Sequence, residues 1–366
     1  MNISSIHLKR IKMPLKKPFT THAGSVSKRE LIIVTVHDND GRKGFGEVTA
    51  FSTPFYTHET IDSAWELLHK LFIPIVRWST ISHPSELADQ LAVFQGNQMA
   101  KAGLESALWD LFAKQKKQSL SKLIGGTREE LDVGVVLSLS DSLKDEIEYC
   151  QRIGYKRYKL KVEKYKEKSA IEQVKSYAPE LPLMIDGNGT YDAEDILHLQ
   201  NLDELGLMMI EQPFRPGDFY LHQQLQQKVS TPVCLDESIS CQEDIIQAHK
   251  LGSCQVANIK ISRVGGWTEA LKLHDYCLHQ NVPSWCGGMV ESGISRAHNI
   301  ALASLDGFTI AGDISASSRF WERDLIAPEI TVTEGKVVVP EKPGIGFDVD
   351  EDYIDFLTIT RNSYSV

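Results

Sequence analysis

The sequence predicts a (β/α)8 barrel carrying an N-terminal α+β capping domain that a C-terminal tail completes. Three observations lead there. From about residue 131, short apolar runs rich in β-formers alternate eight times with polar, helix-like stretches. Ahead of them lies a hairpin pattern followed by two amphipathic helices, and behind them strand and turn signals return. A barrel alone occupies roughly 250 residues, so a chain of 366 has room for a second unit. The expected division is a capping domain over 1–127, the barrel over 128–325, and a segment over 326–366 that returns to the cap.

In the capping domain, strands are expected over 4–13, 31–37 and 44–50, the last two around the turn signal Asn39-Asp40-Gly41. Two loops, 18–25 and 51–56, are rich in aromatics and hydroxyls. Loops so equipped are candidate binding loops, and Thr20, Phe51 and Tyr56 are their candidate substrate contacts. Helices are expected over 59–75 and 97–116. The second carries Leu104, Ala107, Leu108 and Leu111 at helical spacing, with Trp109 and Phe112 read as core. Gly125-Gly126 ends the unit.

The barrel strands are expected over 133–139, 157–162, 183–186, 207–211, 233–236, 256–261, 282–285 and 309–313. Strands covered on both faces read as near-continuous apolar runs, and these turn polar only at their C-terminal ends. Barrel active sites lie at those ends. The tail shows strand patterns over 329–333 and 337–340, then Pro343-Gly344-Ile345-Gly346.

Composition narrows the function. At 42% apolar and 24% charged the chain is globular, and a net charge of −10 without a basic cluster argues against nucleic acid. The N-terminus breaks its apolar pattern too early for a signal peptide, and no run approaches the ~20 apolar residues of a membrane span. A cytosolic protein is expected, with a homo-oligomer compatible with the sequence. The six cysteines form no C-x-x-C pair and read as buried thiols, without disulfide or zinc.

Run two ends in Lys159-Leu160-Lys161, run three in Asp186-Gly187-Asn188, run four in Glu211-Gln212-Pro213, run five in Asp236-Glu237 and run six in Lys260. From 161 to 186, 211, 236 and 260 the steps are 25, 25, 25 and 24 residues, about one barrel module each, which places five side chains at equivalent strand positions. Residues two apart on a strand share a face, so Lys159 and Lys161 both point into the barrel mouth if either does. Asp186, Glu211 and Asp236 would converge between them and Lys260. Crowded carboxylates raise one another's pKa unless a cation neutralises them. Hard oxygen donors without His or Cys favour magnesium, with manganese a workable substitute. A substrate carboxylate held there could pass charge from its α-carbon to its own oxygens, giving an enediolate. For a lysine to serve as base, its pKa of ~10.4 must fall by an amount worth roughly 4 kcal/mol, the direction in which a metal and a second lysine push.

Ordinary salt bridges between strand ends would present the same residue types one at a time, but not all five in succession. Glu237 points away from Asp236 and reads as a hydrogen-bonding group. The turn Gly287-Gly288-Met289-Val290-Glu291-Ser292-Gly293 is either an anion site built from backbone amides or a plain tight turn. None of the twelve histidines has the H-x-x-x-H spacing, and no nucleotide cradle or nucleophile elbow is present.

With these residues, and with Phe45-Gly46-Glu47, Ala107-Leu108-Trp109-Asp110, Ile210-Glu211-Gln212-Pro213, Leu235-Asp236-Glu237-Ser238, Asn258-Ile259-Lys260, Arg263-Val264-Gly265-Gly266 and Gly312-Asp313-Ile314-Ser315, the chain resembles the muconate-lactonising-enzyme branch of the enolase superfamily. Within that branch it is similar to the ortho-succinylbenzoate synthase and N-succinylamino acid racemase family, along essentially its whole length. The resemblance implies a magnesium-dependent lyase acting on a small carboxylate. The reaction would be syn-dehydration of 2-succinyl-6-hydroxy-2,4-cyclohexadiene-1-carboxylate to 2-succinylbenzoate, a step in menaquinone synthesis. It further implies Lys161 as acid/base, Lys260 as the group stabilising the enediolate, and Asp186, Glu211 and Asp236 as metal ligands. Lys159, Asn188, Arg263, Gly288 and Met289 would contact substrate. Arg263 looks like the arginine of members that also racemise N-succinylamino acids, an activity in which both lysines would act as bases. Run three departs from the expected Asp-Ala-Asn-Ser, and strand eight lacks the D-x-D of dipeptide epimerases.

Overall fold

The computed structural model describes residues 1–21 and 24–366, with side chains described outside 19–25. A hairpin of Ile3–Thr21 and Gly24–Asp38 starts the chain, and Lys43–Val48 adds a third antiparallel strand. The chain's final strand, Thr358–Ser365, pairs antiparallel with the first, completing a four-stranded cap sheet. Both arms of the hairpin are longer than the sequence reading allows. Within the region expected to be a loop over 18–25, the described residues 19–21 and 24–25 continue the ladder, with Phe19 opposite Val26 and Thr20 opposite Ser25. Backbone pairing there overrides a composition that reads as loop. The expected Thr20 contact falls among the side chains outside the described set.

Against this sheet packs the helix Gln98–Gln115. Gly46 and Gly103 make the approach close, since a Cβ on Gly46 would stand 2.1 Å from the Gly103 carbonyl oxygen. The preceding helical stretch runs Ile61–Leu67 and Ile73–Trp78, joined by a π-helical turn over Leu68–Phe72. Ile6, Leu8, Ile32, Val34, Val36, Leu104, Ala107 and Leu108 form the cap's own core.

Seven parallel strands follow in strict order: Gly134–Leu137, Arg157–Lys161, Leu183–Asp186, Ile210–Glu211, Val233–Leu235, Val256–Ile259 and Ser284–Cys286. The eighth expected run, 309–313, lacks regular strand pairing but closes the ring. Gly134 N donates to Gly312 O at 2.8 Å, Thr309 N to Ser284 O at 3.1 Å and Asp313 N to Cys286 O at 3.0 Å. Outward-facing Leu160, Ile185, Ile210, Leu235 and Ile259 join the helices in the main core. Inward-facing Met184, Met209, Cys234, Val256 and Trp285 form a separate plug inside the barrel. All six cysteines are free. Among the described residues no helix is long and apolar enough to cross a membrane.

Candidate active site

Register, rather than residue count, sets the depth of each functional side chain. Lys161 pairs with Asp186 and Asp186 with Glu211, so these three share a level. Glu211 then pairs with Cys234, and Cys234 with Val256. Asp236 therefore stands two residues, and Lys260 four, beyond that level on their own strands. This is the stagger that tilted strands impose on a closed barrel, and it corrects the expectation of five equivalent positions.

All three strand-end carboxylates are buried, Asp186 at 1%, Glu211 at 0% and Asp236 at 1% exposure. Lys159 lies between the first two, its Nζ 2.8 Å from Asp186 Oδ2 and 2.7 Å from Glu211 Oε2. Both oxygens are ion-paired, though off the axis of a hydrogen bond. Burial disfavours the Lys159 ammonium, but Asp186 and Glu211 outweigh it and hold it well above the ordinary lysine range. Lys159 is thus a buried counter-ion to Asp186 and Glu211, and it shares Asp186 Oδ2 with Lys161.

Lys161 stands higher, with its side chain 33% exposed, donating to Asn188 Oδ1 at 3.1 Å and lying 3.8 Å from Asp186 Oδ2. Asn188 (φ +44°) binds back through its own N–H to Asp186 Oδ1 at 3.0 Å and through Nδ2 to Glu237 Oε1 at 3.1 Å. A lysine donor on one side and a carboxylate acceptor on the other leave one orientation for that amide. Burial and the nearby Asp236 and Asp186 push Glu237 up to about 7. The group read from sequence as a hydrogen-bonding one therefore holds Asn188.

Lys260, on the far side of the carboxylates, donates to Asp236 Oδ2 at 2.8 Å and to the Tyr56 hydroxyl at 3.1 Å. Burial opposes its charge, yet Asp236 and Tyr56 hold it above the ordinary range. Tyr56 in turn donates to Asp236 Oδ1 at 3.3 Å, and burial with Asp236 pushes its hydroxyl up to about 12. A cap residue therefore touches two barrel groups directly. Arg263 is 2% exposed: its guanidinium binds Asp236 Oδ1 and the carbonyls of Ile239 and Asn258. Although burial opposes the Asp236 charge, Lys260 and Arg263 hold its carboxyl well below the usual range.

The remaining candidates lie at the seam between cap and barrel. Phe51 is 6% exposed, with the Arg29 guanidinium 3.9 Å above its ring and Tyr56 edge-on at 6.3 Å. Met289 packs against the cap core. Gly288 lies under Asp313, whose carbonyl would be 2.7 Å from an added Cβ. Its neighbour Gly287, read from sequence only as the start of a turn, leaves the space that Lys260 fills, since a Cβ there would meet Lys260 Cε at 2.6 Å. Two further supports went unread. Asn258 Nδ2 donates to Glu211 Oε1 at 2.9 Å, and Gln212 Oε1 accepts from Asp236 N at 3.0 Å and Ser238 N at 3.1 Å. Asn258, two residues before Lys260 on the same strand face, carried a signal that parity alone could have flagged.

Among the described residues no three His, Cys, Asp or Glu side chains converge into a ready cation cage. The donor chemistry nevertheless fits a hard divalent cation. Burial first, and then Asp186 and Asp236, push Glu211 up to about 8 even with Lys159 beside it. Asp186 and Asp236 stay low beside Lys159, Lys260 and Arg263, so Glu211 alone of the three is driven toward its neutral form, a shortfall of positive charge that a divalent cation among these oxygens would make up.

Two family models match the chain: Mandelate racemase / muconate lactonizing enzyme, N-terminal domain, over residues 5–125, and Enolase C-terminal domain-like over 142–353. The chain is 47% identical over 354 residues to an o-succinylbenzoate synthase of Bacillus subtilis (strain 168), covering 96% of this chain and 95% of that protein. It is 37% identical over 368 residues to an N-succinylamino acid racemase of Thermus thermophilus, covering 100% of both. A solved enolase-superfamily member from Listeria innocua Clip11262 superposes with a TM-score of 0.95 at 39% identity, over 100% of this chain and 99% of that one. With both halves matched and the barrel closed as described, the chain belongs to the mandelate racemase / muconate lactonizing enzyme family of the enolase superfamily.

Proposed function

We propose that the protein is a magnesium-dependent lyase that syn-dehydrates 2-succinyl-6-hydroxy-2,4-cyclohexadiene-1-carboxylate to 2-succinylbenzoate, the o-succinylbenzoate synthase reaction of menaquinone synthesis. The carrying observation is that Lys161 and Lys260 flank an arc of three buried carboxylates. Asp186, Glu211 and Asp236 would hold the divalent cation, Mg2+ or Mn2+ in its place. When bound, the cation would draw in the substrate carboxylate and stabilise the negative charge that builds on it.

Lys161, exposed toward the mouth and steadied by Asn188, takes the proton from the carbon bearing the carboxylate. The C–H electrons move toward the carboxylate and then into the ring as the neighbouring C–O bond breaks. The same Lys161 ammonium returns the proton to the departing hydroxyl, which leaves as water. One group on one face suffices for syn elimination. Lys260, held on the other side by Asp236 and Tyr56, supplies positive charge where negative charge develops.

The 37% identity to an N-succinylamino acid racemase supports a second activity of the same site. Racemisation removes the proton on one face and returns it on the other, and would use both lysines. The test is an assay of wild type, Lys161→Ala and Lys260→Ala with magnesium, on the cyclohexadiene carboxylate and on an N-succinylamino acid. Dehydration should fall by at least about a thousandfold in Lys161→Ala. Absence of wild-type turnover on both substrates would refute the assignment.

A further inference from the structure

Arg29 is 1% exposed, and among the described residues no carboxylate lies within ion-pair distance of it. Its guanidinium is spent on backbone instead. Nε donates to Val290 O at 3.1 Å, one terminal nitrogen to Ala50 O at 2.7 Å and Glu30 O at 3.2 Å, and the other to Thr49 O. Its flat face lies on the Phe51 ring. Apart from Glu30, which lies on the same strand as Arg29, these acceptors belong to two separate loops. Thr49, Ala50 and Phe51 open the cap loop that carries Tyr56 to Lys260, and Val290 belongs to the barrel turn that starts at Gly287.

The neighbouring cap strand grips the same barrel turn with opposite polarity. Glu47, 3% exposed, accepts from Ser292 N at 3.0 Å, Ser295 N at 3.3 Å and the Ser292 hydroxyl. The cap thus takes carbonyls of this segment with a cation and amides with an anion. Glu47, Glu291 and Glu30 reach this charge only through space and burial outweighs them, so the cation is costly to keep, and packing of the sheet alone does not require an arginine here. A planar group with donors along its edges can hold two loops at a fixed separation, which a lysine cannot.

We propose that Arg29 is a positioning residue for the barrel mouth, tying the 49–56 loop to the 287–292 turn and so fixing where Tyr56 meets Lys260 and where that turn faces substrate. The consequence for turnover rests on the reading of the mouth as the active centre; the tie itself does not.

The test compares full-length wild type, Arg29→Met and Arg29→Lys by hydrogen exchange and by kinetics on both candidate substrates. In both variants, exchange over 49–56 and 287–292 should quicken together by about tenfold or more, while helix Gln98–Gln115 stays protected. kcat/KM should fall at least about tenfold, carried mainly by KM, as expected when loops that position substrate loosen. If Arg29→Met does not fold, Arg29→Lys alone decides. Unchanged exchange, quickening in only one segment, full restoration by lysine, or a lowered unfolding midpoint with KM and kcat intact would each overturn the proposal. A wild type inactive on both substrates would sink the functional reading, and the exchange data would still decide the tie.

Discussion

Glu59 should make the protein less stable as pH rises from about 4.5 to about 7, and Glu59→Gln should reverse the order of stability across that window. Glu59 sits at the far end of the loop that presents Tyr56. That loop is closed by the Phe51–Thr60 bridge and by Ile61 N donating to Phe51 O at 2.9 Å. Its carboxylate receives Met99 N and Ala100 N, each at 2.8 Å, and so caps the helix Gln98–Gln115, whose own N-cap residue Asn97 makes no side-chain capping bond and turns its amide to Gln95 O instead. Burial outweighs those two bonds and pushes the carboxyl up to about 7 from 4.5. Below 4.5 the group is protonated in both states and contributes nothing. Between 4.5 and 7 the unfolded chain ionises while the folded one keeps its proton, so stability falls with pH, by roughly 3 kcal/mol in full. Glutamine has no such titration but offers one acceptor where two are needed, a loss of about 1 kcal/mol. Wild type should therefore be the more stable by about 1 kcal/mol near pH 4.5, and the variant by about 2 kcal/mol at pH 8. Denaturant unfolding at several pH values measures this. Buried Glu105 and Glu291, also pushed up to about 7, contribute equally to both proteins and cancel in the difference. A wild-type-minus-variant difference that stays constant between pH 4.5 and 8 would refute the reasoning.

Asp110→Ala should cost roughly 3–5 kcal/mol, read as a lower denaturant midpoint, because it strands Phe45 N, Ile345 N and the Lys114 ammonium, all within 2.8 Å of this fully buried carboxylate. Gly344 (φ +74°) lies on the same carboxylate, where a Cβ would be 2.2 Å from Oδ1, so Gly344→Ala should loosen the tail in limited proteolysis. Removing divalent cations with a chelator should abolish turnover and magnesium should restore it; turnover that survives thorough chelation would count against the assignment of Asp186, Glu211 and Asp236 as ligands.

The barrel and the order of its polar strand ends were legible because both follow from strand periodicity, which a sequence displays directly. Depth along the barrel axis was not. Lys159 and Lys161 share a face, but two residues of strand separate them by about 6.6 Å. That distance turns one into a counter-ion with a 4% exposed side chain and leaves the other 33% exposed at the mouth. Arg263 illustrates the same limit: the resemblance implied a substrate contact, and a helical turn carries its guanidinium onto Asp236. The last run was readable as apolar yet not as irregular, since its closure of the ring runs through backbone bonds at Gly312 and Thr309.

That last cause extends to the seam between cap and barrel and to the contacts within the cap and with the tail. Arg29, Glu47, Glu59 and Asp110 are all buried, and what they receive or donate is mostly main chain. Main-chain groups are identical at every non-proline position, so the receiving residues carry no compositional mark, and only the charged partner stands out. A buried charge in a strand or at a helix edge is therefore the one legible half of such a contact. Arg29 stood between Lys28 and Glu30 just ahead of the strand expected over 31–37, and Glu47 inside the one expected over 44–50, where periodicity marks neither as a tie to the barrel. In a barrel whose chemistry is fixed by strand ends, substrate choice rests on the loops above them. The residues that hold those loops are the ones a periodic reading passes over, and in this protein they converge from two adjacent cap strands on one barrel turn.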